Sequence, residues 1–214
     1  MMNKATVIAY TKPIDPSYGT NIAEFVAYCA RVSNPANQWN HETASKLLEY
    51  LKRNKHFSPL EMADIVIEIE TTRDIARQVL RHRSFSFQEF SQRYAEASQF
   101  SEPREARLQD AKNRQNSIEI DDDRLKWDWE GVQEALMEKS IEAYQWALER
   151  GIAKEVARSV LPEGLTMSRL YMKGSLRSWI HYLEVRLDET TQKEHRDLAL
   201  KISECVKQVM EGKV

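Results

Sequence analysis

The sequence predicts an α+β fold, a small, mostly antiparallel sheet flanked by several helices, in a single domain that covers residues 1–214. Helical patterns dominate the chain, and its few strand patterns do not alternate regularly with them, as they would in a doubly wound sheet. A chain of 214 residues is long enough for one domain with a full hydrophobic core. Hydrophobic residues make up 42% and charged residues 30% of the chain, values typical of a soluble globular protein.

Three segments predict the strands. Residues 5–10 are rich in β-branched residues and are followed by Thr-Lys-Pro, which indicates an edge strand. Residues 63–71 alternate between isoleucine and mostly acidic side chains, so this strand is expected to have one face in the core and one polar face. Residues 165–173, after the break at Pro162, predict a second long strand.

Helices are predicted where apolar residues recur every three to four positions. The predicted helices cover residues 21–31, 42–53, 73–81, 130–149, 153–160 and 175–188, and a last helix carries Leu198, Ile202, Cys205, Val206 and Val209. Helix 73–81 is expected to be capped by Thr72 and to place Arg73, Arg77 and Arg81 on one face.

The segment around residue 130 is less regular. Residues 99–127 are polar and predict a loop or variable excursion with some helix, and the acidic run at 121–123 marks a helix start. Helix 130–149 is expected to bury an apolar stripe made of Val132, Leu136, Ile141, Tyr144 and Leu148.

Composition excludes several classes of protein. The formal net charge of -2 argues against a general nucleic-acid or membrane-surface binder, because such proteins usually carry a basic excess. Neither a transmembrane segment nor a signal peptide is indicated, so we expect a cytoplasmic protein. Cys29 and Cys205 lack metal-site spacing and are expected to be buried in helices, and no metal site is predicted. No Gly-rich dinucleotide or P-loop motif occurs.

Cationic and aromatic residues are concentrated in residues 81–94, which we call the basic segment. Its cationic or imidazole groups are Arg81, His82, Arg83 and Arg93. Guanidinium groups this close repel each other unless an anion neutralises them, and their planar fork suits a phosphate. The interleaved aromatic residues suggest a pocket wall; they are Phe85, Phe87, Phe90 and Tyr94. The alternative is a solvated arginine-rich face that pairs with nearby glutamates.

The basic segment resembles the signature of the flavin-dependent thymidylate synthases, in which Arg-His-Arg is followed after seven residues by Ser-x-Arg. Here these residues are Arg81-His82-Arg83 and Ser91-Gln92-Arg93, with a Gln-Glu pair before the serine and a tyrosine after the motif. Further blocks of the family pattern occur in order, and the resemblance spans about residues 27–195. These blocks are Ala30-Arg31-Val32-Ser33, His56-Phe57-Ser58-Pro59-Leu60-Glu61, Ala76-Arg77-Gln78, Glu155-Val156-Ala157-Arg158 and Leu183-Glu184-Val185-Arg186.

The resemblance implies an enzyme that methylates dUMP to dTMP. It implies 5,10-methylenetetrahydrofolate as methylene donor, FADH2 as hydride donor and NADPH as the reductant of the flavin. FAD is expected to lie between subunits of a homotetramer, with sites shared between subunits, and no DNA, RNA or membrane partner is expected. Arg186 is the expected catalytic residue, a fixed charge that promotes ionisation at uracil N3 without acting as a base.

The resemblance also assigns the binding residues. Those expected to bind the cofactor are His56, Ser58, Glu61, Arg81, His82, Arg83, Glu89, Arg177 and His181. Those expected to bind the substrate are Gln78, Arg81, Glu89, Phe90, Ser91, Gln92, Arg93, Arg158 and Arg186. The chain departs from the family pattern at His181, where asparagine is common, at Ser175 of the Ser-Leu-Arg triplet, and at Gln88.

Alternatives stay open at two residues and for the whole chain. Ser91 as a nucleophile is not our leading interpretation, because a serine needs a base and the motif offers no His-Ser dyad. Without the resemblance, Arg186 has a second interpretation as a cation at a helix end. For the chain, the rival hypotheses are a nucleotide- or RNA-binding protein that stacks bases on the basic segment and an oligomer with a decayed site.

Overall fold

The computed structural model describes residues 3–214 and shows an α+β fold, as predicted. Its strands are β1 (Lys4–Tyr10), β2 (Asp64–Thr72), β3 (Ser86–Glu89), β4 (Arg107–Gln109), β5 (Ser117–Glu119) and β6 (Met167–Ser175). Its α-helices are α1 (Ile22–Ala30), α2 (Ala44–Arg53), α3 (Arg73–Val79), α4 (Asp123–Glu149), α5 (Lys154–Ala157), α6 (Leu176–Arg186) and α7 (Lys193–Met210). No helix within this part of the chain is long and apolar enough to cross a membrane.

A four-stranded antiparallel sheet in the order β1-β2-β6-β3 forms the centre of the molecule. β2 and β6 pair over their full lengths, from Asp64 opposite Ser175 to Thr72 opposite Met167. The order places β1 at an edge, which confirms the edge strand predicted there. The opposite edge is β3, a strand of four residues inside the basic segment that the sequence did not predict.

The core lies on one face of this sheet. Ile65, Ile67 and Ile69 are fully buried, which confirms the predicted alternation of β2. Helices α1, α6 and α7 cover this face with fully buried side chains such as Trp179 and Leu198. Each large apolar side chain buried in this way stabilises the fold by about 1.5–3 kcal/mol.

The polar excursion has more structure than expected. Between residues 99 and 127 the chain forms the β4–β5 hairpin, and α4 begins at Asp123 rather than at the predicted residue 130. The acidic run does start this helix, because the Asp122 carboxylate accepts a hydrogen bond from the Leu125 amide at 3.0 Å.

The predicted burial on α4 is wrong for its first half. Val132 and Leu136 are 58% and 53% exposed. The buried residues of the helix are Gln133, Ser140, Tyr144 and Ala147. A small apolar cluster packs only against the second half of the helix, so the first half of the stripe faces outward.

Two further expectations need correction. Thr72 does not cap α3 with its side chain, because its hydroxyl donates to the Asp74 carboxylate at 2.6 Å instead. The helix also ends at Val79, so Arg81 lies beyond it. Cys205 is buried in α7 as predicted, whereas Cys29 is only half-buried in α1.

Candidate active site

A close contact between Phe85 and Gly174 fixes the first part of the basic segment on the sheet. Gly174 lies in β6, and a Cβ atom at this position would overlap the Phe85 ring. The ring also packs edge-on against Trp179, with 4.7 Å between the ring centroids. Phe85 and Phe87 therefore belong to the edge of the core, whereas Tyr94 is 80% exposed and forms no wall in this chain alone.

The structure brings His82 of the basic segment against Arg186 at the end of α6. The Arg186 Nε donates a hydrogen bond to His82 Nε2 at 2.8 Å, which requires a neutral imidazole with its proton on Nδ1. Burial, the Arg186 charge and nearby His181 lower the pKa of His82 to about 4. The cluster thus presents a fixed guanidinium beside an imidazole that is neutral at physiological pH.

Arg186 itself is half-buried. Burial lowers the pKa of its guanidinium, Tyr182 raises it and nearby Arg81 lowers it. Because an arginine stays protonated in proteins, Arg186 keeps its charge in a partly desolvated setting. A charge in such a setting acts more strongly on a neighbouring anion than one in water does.

The second part of the basic segment is tied to β6 through Glu89. Its carboxylate accepts a hydrogen bond from the Ser168 hydroxyl at 2.7 Å, and Arg73 lies 3.8 Å from it. The Phe90 amide then donates to the Arg169 carbonyl at 2.8 Å. The Glu89 side chain is thus held at the sheet edge by residues outside the motif.

Ser91 is the first residue of a turn that follows the edge strand β3. Its carbonyl accepts from the amides of Tyr94 and Ala95, and its hydroxyl accepts from the Arg93 amide at 3.4 Å. Gln92 is only 3% exposed, and its Nε2 has no hydrogen-bond partner among residues 3–214.

Arg93 contacts helix α5, and Arg158 follows directly after that helix. Arg93 Nε lies 3.2 Å from the carboxylate of Glu155, and Arg158 follows Glu155 by about one helical turn. The Arg93 pair is exposed, so it contributes little to stability and leaves the guanidinium available to an anion.

A pocket of about 460 Å³ opens beside α6. Its lining residues are Lys52, Lys55, Phe57, Glu61, Ser84, Arg177, Ser178, Ile180, His181 and Glu184. Arg177 donates to Glu61 at 2.7 Å, and hydrogen bonds from Ser175 and Arg177 lower the pKa of that carboxyl. The pocket combines several cations with an aromatic ring, which suits an anionic ligand that carries a ring system.

Residues 16–211 match the sequence model of a family described as thymidylate synthase complementing protein. The chain is 53% identical over 197 residues to a probable flavin-dependent thymidylate synthase of Paramecium bursaria Chlorella virus 1, covering 91% of this chain and 89% of that protein. It is 52% identical over 200 residues to the flavin-dependent thymidylate synthase of Synechocystis sp., covering 93% and 88%.

The chain belongs to the flavin-dependent thymidylate synthase family. The predicted family is thereby confirmed. The fold is similar to the UMP/dUMP methylase PolB from Streptomyces cacaoi bound with 5-Br dUMP, with a TM-score of 0.81 and 25% identity. That match covers 99% of this chain and 92% of the other, so the likeness extends over the whole domain.

Family residues that are far apart in the sequence meet in three places: the α6 pocket, the His82–Arg186 contact and the Arg93–Glu155 pair. Glu61, Arg177 and His181, expected at the flavin, line the α6 pocket together. Of the remaining cofactor-binding candidates, Ser58 and His56 are exposed just before Glu61, and the His56 ring packs edge-on against Tyr50.

The rest of the Arg-His-Arg triplet lies at the surface. Arg81 and Arg83 flank His82 and are exposed. Among the candidates for the nucleotide, Arg186 contacts His82, Arg93 pairs with Glu155 of α5, and Arg158 follows directly after that helix.

Sequence reasoning missed the residues that support these groups. Ser168 and Arg73 hold Glu89, and Tyr182 and His195 lie behind His82 and Gln78. The sequence does contain an indication of the buried His195. It precedes Leu198 and Ile202 at helical spacing, which makes it a polar residue on the apolar face of α7.

Proposed function

We propose that this chain is a cytoplasmic flavin-dependent thymidylate synthase that converts dUMP to dTMP. Its methylene donor is 5,10-methylenetetrahydrofolate, and its flavin is FAD, which NADPH reduces. The observation that carries the proposal is the contact of Arg186 with the neutral His82, which brings two blocks of the family pattern, 104 positions apart in the sequence, into one cluster. Membership of the family supports an enzyme over the rival hypothesis of an RNA-binding protein.

Arg186 is the residue to which we assign activation of the uracil ring. Its Nε is engaged by His82, which fixes the plane of the guanidinium and leaves its two terminal nitrogens to face a ligand. A fixed cation of this kind stabilises negative charge at uracil N3 and so makes the ring more reactive at C5. His82 sets the orientation of Arg186 and, being neutral, does not repel it.

The phosphate of dUMP is assigned to Arg93, which pairs with Glu155 of α5, and to Arg158, which follows that helix. Phosphate accepts bidentate hydrogen bonds from a guanidinium, and it carries more charge than the Glu155 carboxylate that pairs with Arg93 here. Ser91 offers its hydroxyl beside Arg93, and we assign it to ligand binding because its hydrogen bond runs to a backbone amide rather than to a base. Gln78 and Glu89 are assigned to the nucleotide as well, as are Phe90 and Gln92, which follow Glu89 in the basic segment.

The α6 pocket fits FAD by the chemistry of its lining. Lys52, Lys55 and Arg177 suit a diphosphate, and the volume of about 460 Å³ is in the range of cofactor pockets. When bound there, reduced FAD supplies the hydride of the reaction. Glu61 holds Arg177 in place, and Ser175, where the family has asparagine, accepts from the Ser178 amide at 3.3 Å to cap α6. His181 faces the same pocket and is assigned to the flavin.

A homotetramer with sites shared between subunits completes the proposal. The outward stripe of α4 supports it, because exposed apolar side chains at helical spacing are typical of an interface. The four members of this stripe are Leu125, Trp129, Val132 and Leu136.

The test is release of tritium from 5-tritiated dUMP in the presence of FAD, NADPH and 5,10-methylenetetrahydrofolate. We expect release together with dTMP, and a flavin absorbance band in the purified protein. A second arm replaces dUMP by UMP, because the structurally similar PolB is a UMP/dUMP methylase. Protein that holds FAD but releases no tritium from either nucleotide would contradict the proposed function, and colourless protein that takes up no FAD would favour the binding protein.

A further inference from the structure

His195, which the proposed mechanism leaves unused, is buried at the start of α7 with no exposed surface. A buried imidazole is costly unless both of its nitrogens find partners. Both do. Its Nε2 lies 3.0 Å from the Tyr182 hydroxyl, and its Nδ1 lies 3.1 Å from Gln78 Oε1.

The direction of these hydrogen bonds follows from Gln78. The Gln78 Oε1 is an acceptor only, so His195 Nδ1 must carry the proton and donate. The opposite nitrogen then accepts from the Tyr182 hydroxyl. Burial lowers the pKa of His195 to about 3, with Arg186 and His82 contributing, so this neutral tautomer persists at physiological pH.

The chain of hydrogen bonds continues beyond Gln78 with the same order of donors and acceptors. The Gln78 Nε2 donates to Gln192 Oε1 at 2.7 Å, and the Gln192 Nε2 donates to the Glu194 carboxylate at 2.9 Å. Glu194 is paired in turn with Arg107 of β4. Rotating the Gln78 amide by half a turn would place a donor against a donor at His195 and an acceptor against an acceptor at Gln192.

We propose that His195 is a positioning residue that fixes the side-chain amide of Gln78 at the nucleotide site. With one hydrogen bond to His195 and one to Gln192, the amide retains one N–H and one oxygen lone pair for a ligand. A paired donor and acceptor matches a hydroxyl group, such as one on the sugar of the nucleotide. This inference rests on the proposed function, since it takes dUMP as the ligand of Gln78.

The same residue links Gln78 to the Arg186 cluster. The hydroxyl of Tyr182 donates to His195, and the ring of the same tyrosine packs edge-on against His82, with 4.8 Å between the ring centroids. His195 therefore fixes the tyrosine behind His82 as well as the glutamine. The Gln78 amide, assigned to the sugar, and the Arg186 cluster, assigned to the uracil, therefore share one buried support.

The experiment compares three substitutions by steady-state kinetics with dUMP. His195→Leu removes both hydrogen bonds and should raise the KM for dUMP about tenfold, the effect of losing roughly one positioned hydrogen bond. His195→Asn keeps a donor near the position of Nδ1 and should restore part of this loss. Ile202→Ala, at a fully buried position on the same face of α7, controls for lost packing and should lower the melting temperature while leaving the KM unchanged.

A double variant separates positioning from general damage. If His195 acts through Gln78, then His195→Leu combined with Gln78→Ala should raise the KM no further than Gln78→Ala alone. Strictly additive effects, or a normal KM in His195→Leu, would overturn the proposal.

Nitrogen-15 NMR of the wild-type histidines provides a test that needs neither turnover nor a folded variant. We expect His195 to carry its proton on Nδ1 and to stay neutral between pH 7 and pH 5. A proton on Nε2 would overturn the proposal even if the kinetics agreed. A wild-type enzyme that turns over no dUMP would overturn the proposed function and the positioning role together. A normal wild-type reaction with an unaffected His195→Leu variant would overturn the positioning role alone.

Discussion

Arg186 and His82 form a unit in which each residue defines the state of the other. The guanidinium donates to the imidazole, which keeps the imidazole neutral, and the imidazole restricts the guanidinium to one plane. A guanidinium restrained in this way requires less reorganisation when negative charge develops beside it. The catalytic role that we propose for Arg186 therefore depends on its orientation as well as on its charge.

Replacing Arg186 with alanine should lower dTMP formation by at least about 100-fold, the usual effect of removing one preorganised electrostatic group. NADPH-driven reduction of the flavin should continue, because the residues assigned to FAD line a different pocket. Stopped-flow absorbance at the flavin band and the tritium assay measure the two half-reactions separately. Arg124→Ala, which removes an arginine side chain that is 90% exposed, is the control. Equal loss of both half-reactions in Arg186→Ala would contradict the assignment.

The buried histidines also predict a loss of stability in mild acid. The pKa values of His82 and His195 in the folded chain are lowered to about 4 and about 3, whereas the unfolded chain has ordinary histidines. The unfolded state therefore binds more protons as the pH falls below about 6.5, and the free energy of unfolding decreases. The free energy of unfolding should then fall by up to about 1.4 kcal/mol per pH unit for each histidine, before the carboxylates begin to titrate near pH 4.5.

Urea unfolding at pH 7, 6 and 5 measures this slope. The His195→Leu variant should show about half of it, since only His82 then retains a lowered pKa. Stability that does not change between pH 7 and pH 5 would show that the two imidazoles are not held neutral.

At the scale of elements, the basic segment depends on a glycine that is not part of the family motif. Gly174→Ala would force the Phe85 ring away from β6, and overpacking of this kind costs about 1–3 kcal/mol. Because Phe85 precedes β3, the displacement should also weaken the edge strand that carries Glu89.

A matched glycine provides the control for this prediction. Gly131 lies in α4 with open space where a Cβ atom would be added, so Gly131→Ala should stabilise the helix by about 0.5–1 kcal/mol. Chemical denaturation measures both changes, and hydrogen exchange at the amides of residues 86–89 reports on the edge strand. A Gly174→Ala variant as stable as the wild type would show that Phe85 moves without cost.

The polar excursion is a second element whose role emerges only in three dimensions. Arg104 donates to the Asp74 carboxylate at 2.7 and 2.8 Å, and Arg107 pairs with the buried Glu194. The β4–β5 hairpin is thereby anchored to the start of α3 and to α7, the helices that carry Gln78 and His195. An exposed, polar sequence can therefore support the site through a few ion pairs.

Local patterns predicted the long elements and missed the short ones. The alternation of residues 63–71 predicted β2, which the structure places at Asp64–Thr72, because nine residues and three buried isoleucines carry the period. The four residues of β3 are too few to show an alternating pattern that the sequence could reveal. This strand forms because β6 supplies its hydrogen-bond partners. The motif located the basic segment, but the contact of His82 with Arg186 joins residues 104 positions apart and depends on the packing of α6.

At the scale of the whole molecule, α6 connects the two candidate sites. Arg177 and His181 face the pocket assigned to FAD, whereas Tyr182 and Arg186 face the cluster assigned to the uracil. His181 lies close enough to contribute to the lowered pKa of His82. One helix therefore places the proposed cofactor and the proposed substrate side by side.

The error in the predicted burial of α4 also belongs to this scale. An apolar stripe at helical spacing indicates that a face is covered, but it does not say whether the cover is the same chain or another copy. In this chain the second half of the stripe packs on the domain, through Tyr144 and Leu148. The first half, which includes Val132 and Leu136, is exposed in this chain.

Four chains of 25.0 kDa would form a particle of about 100 kDa, and light scattering after size exclusion measures this mass. Leu136→Lys places a charge at the C-terminal end of the exposed stripe. It should reduce the mass and, if sites are shared between subunits, the flavin content with it. The monomer should keep its fold, because Leu136 is 53% exposed and lysine is a good helix former.

Leu200→Lys is the matched control, since Leu200 on α7 is 52% exposed and lies outside the stripe. It should leave both the mass and the flavin content unchanged. A tetramer that survives Leu136→Lys would place the interface on another face. A variant that loses the tetramer but keeps full flavin content and turnover would show that each chain holds a complete site. Loss of mass, flavin and turnover together is the result that shared sites require, because an interface residue far from the chemistry then controls whether the chemistry occurs.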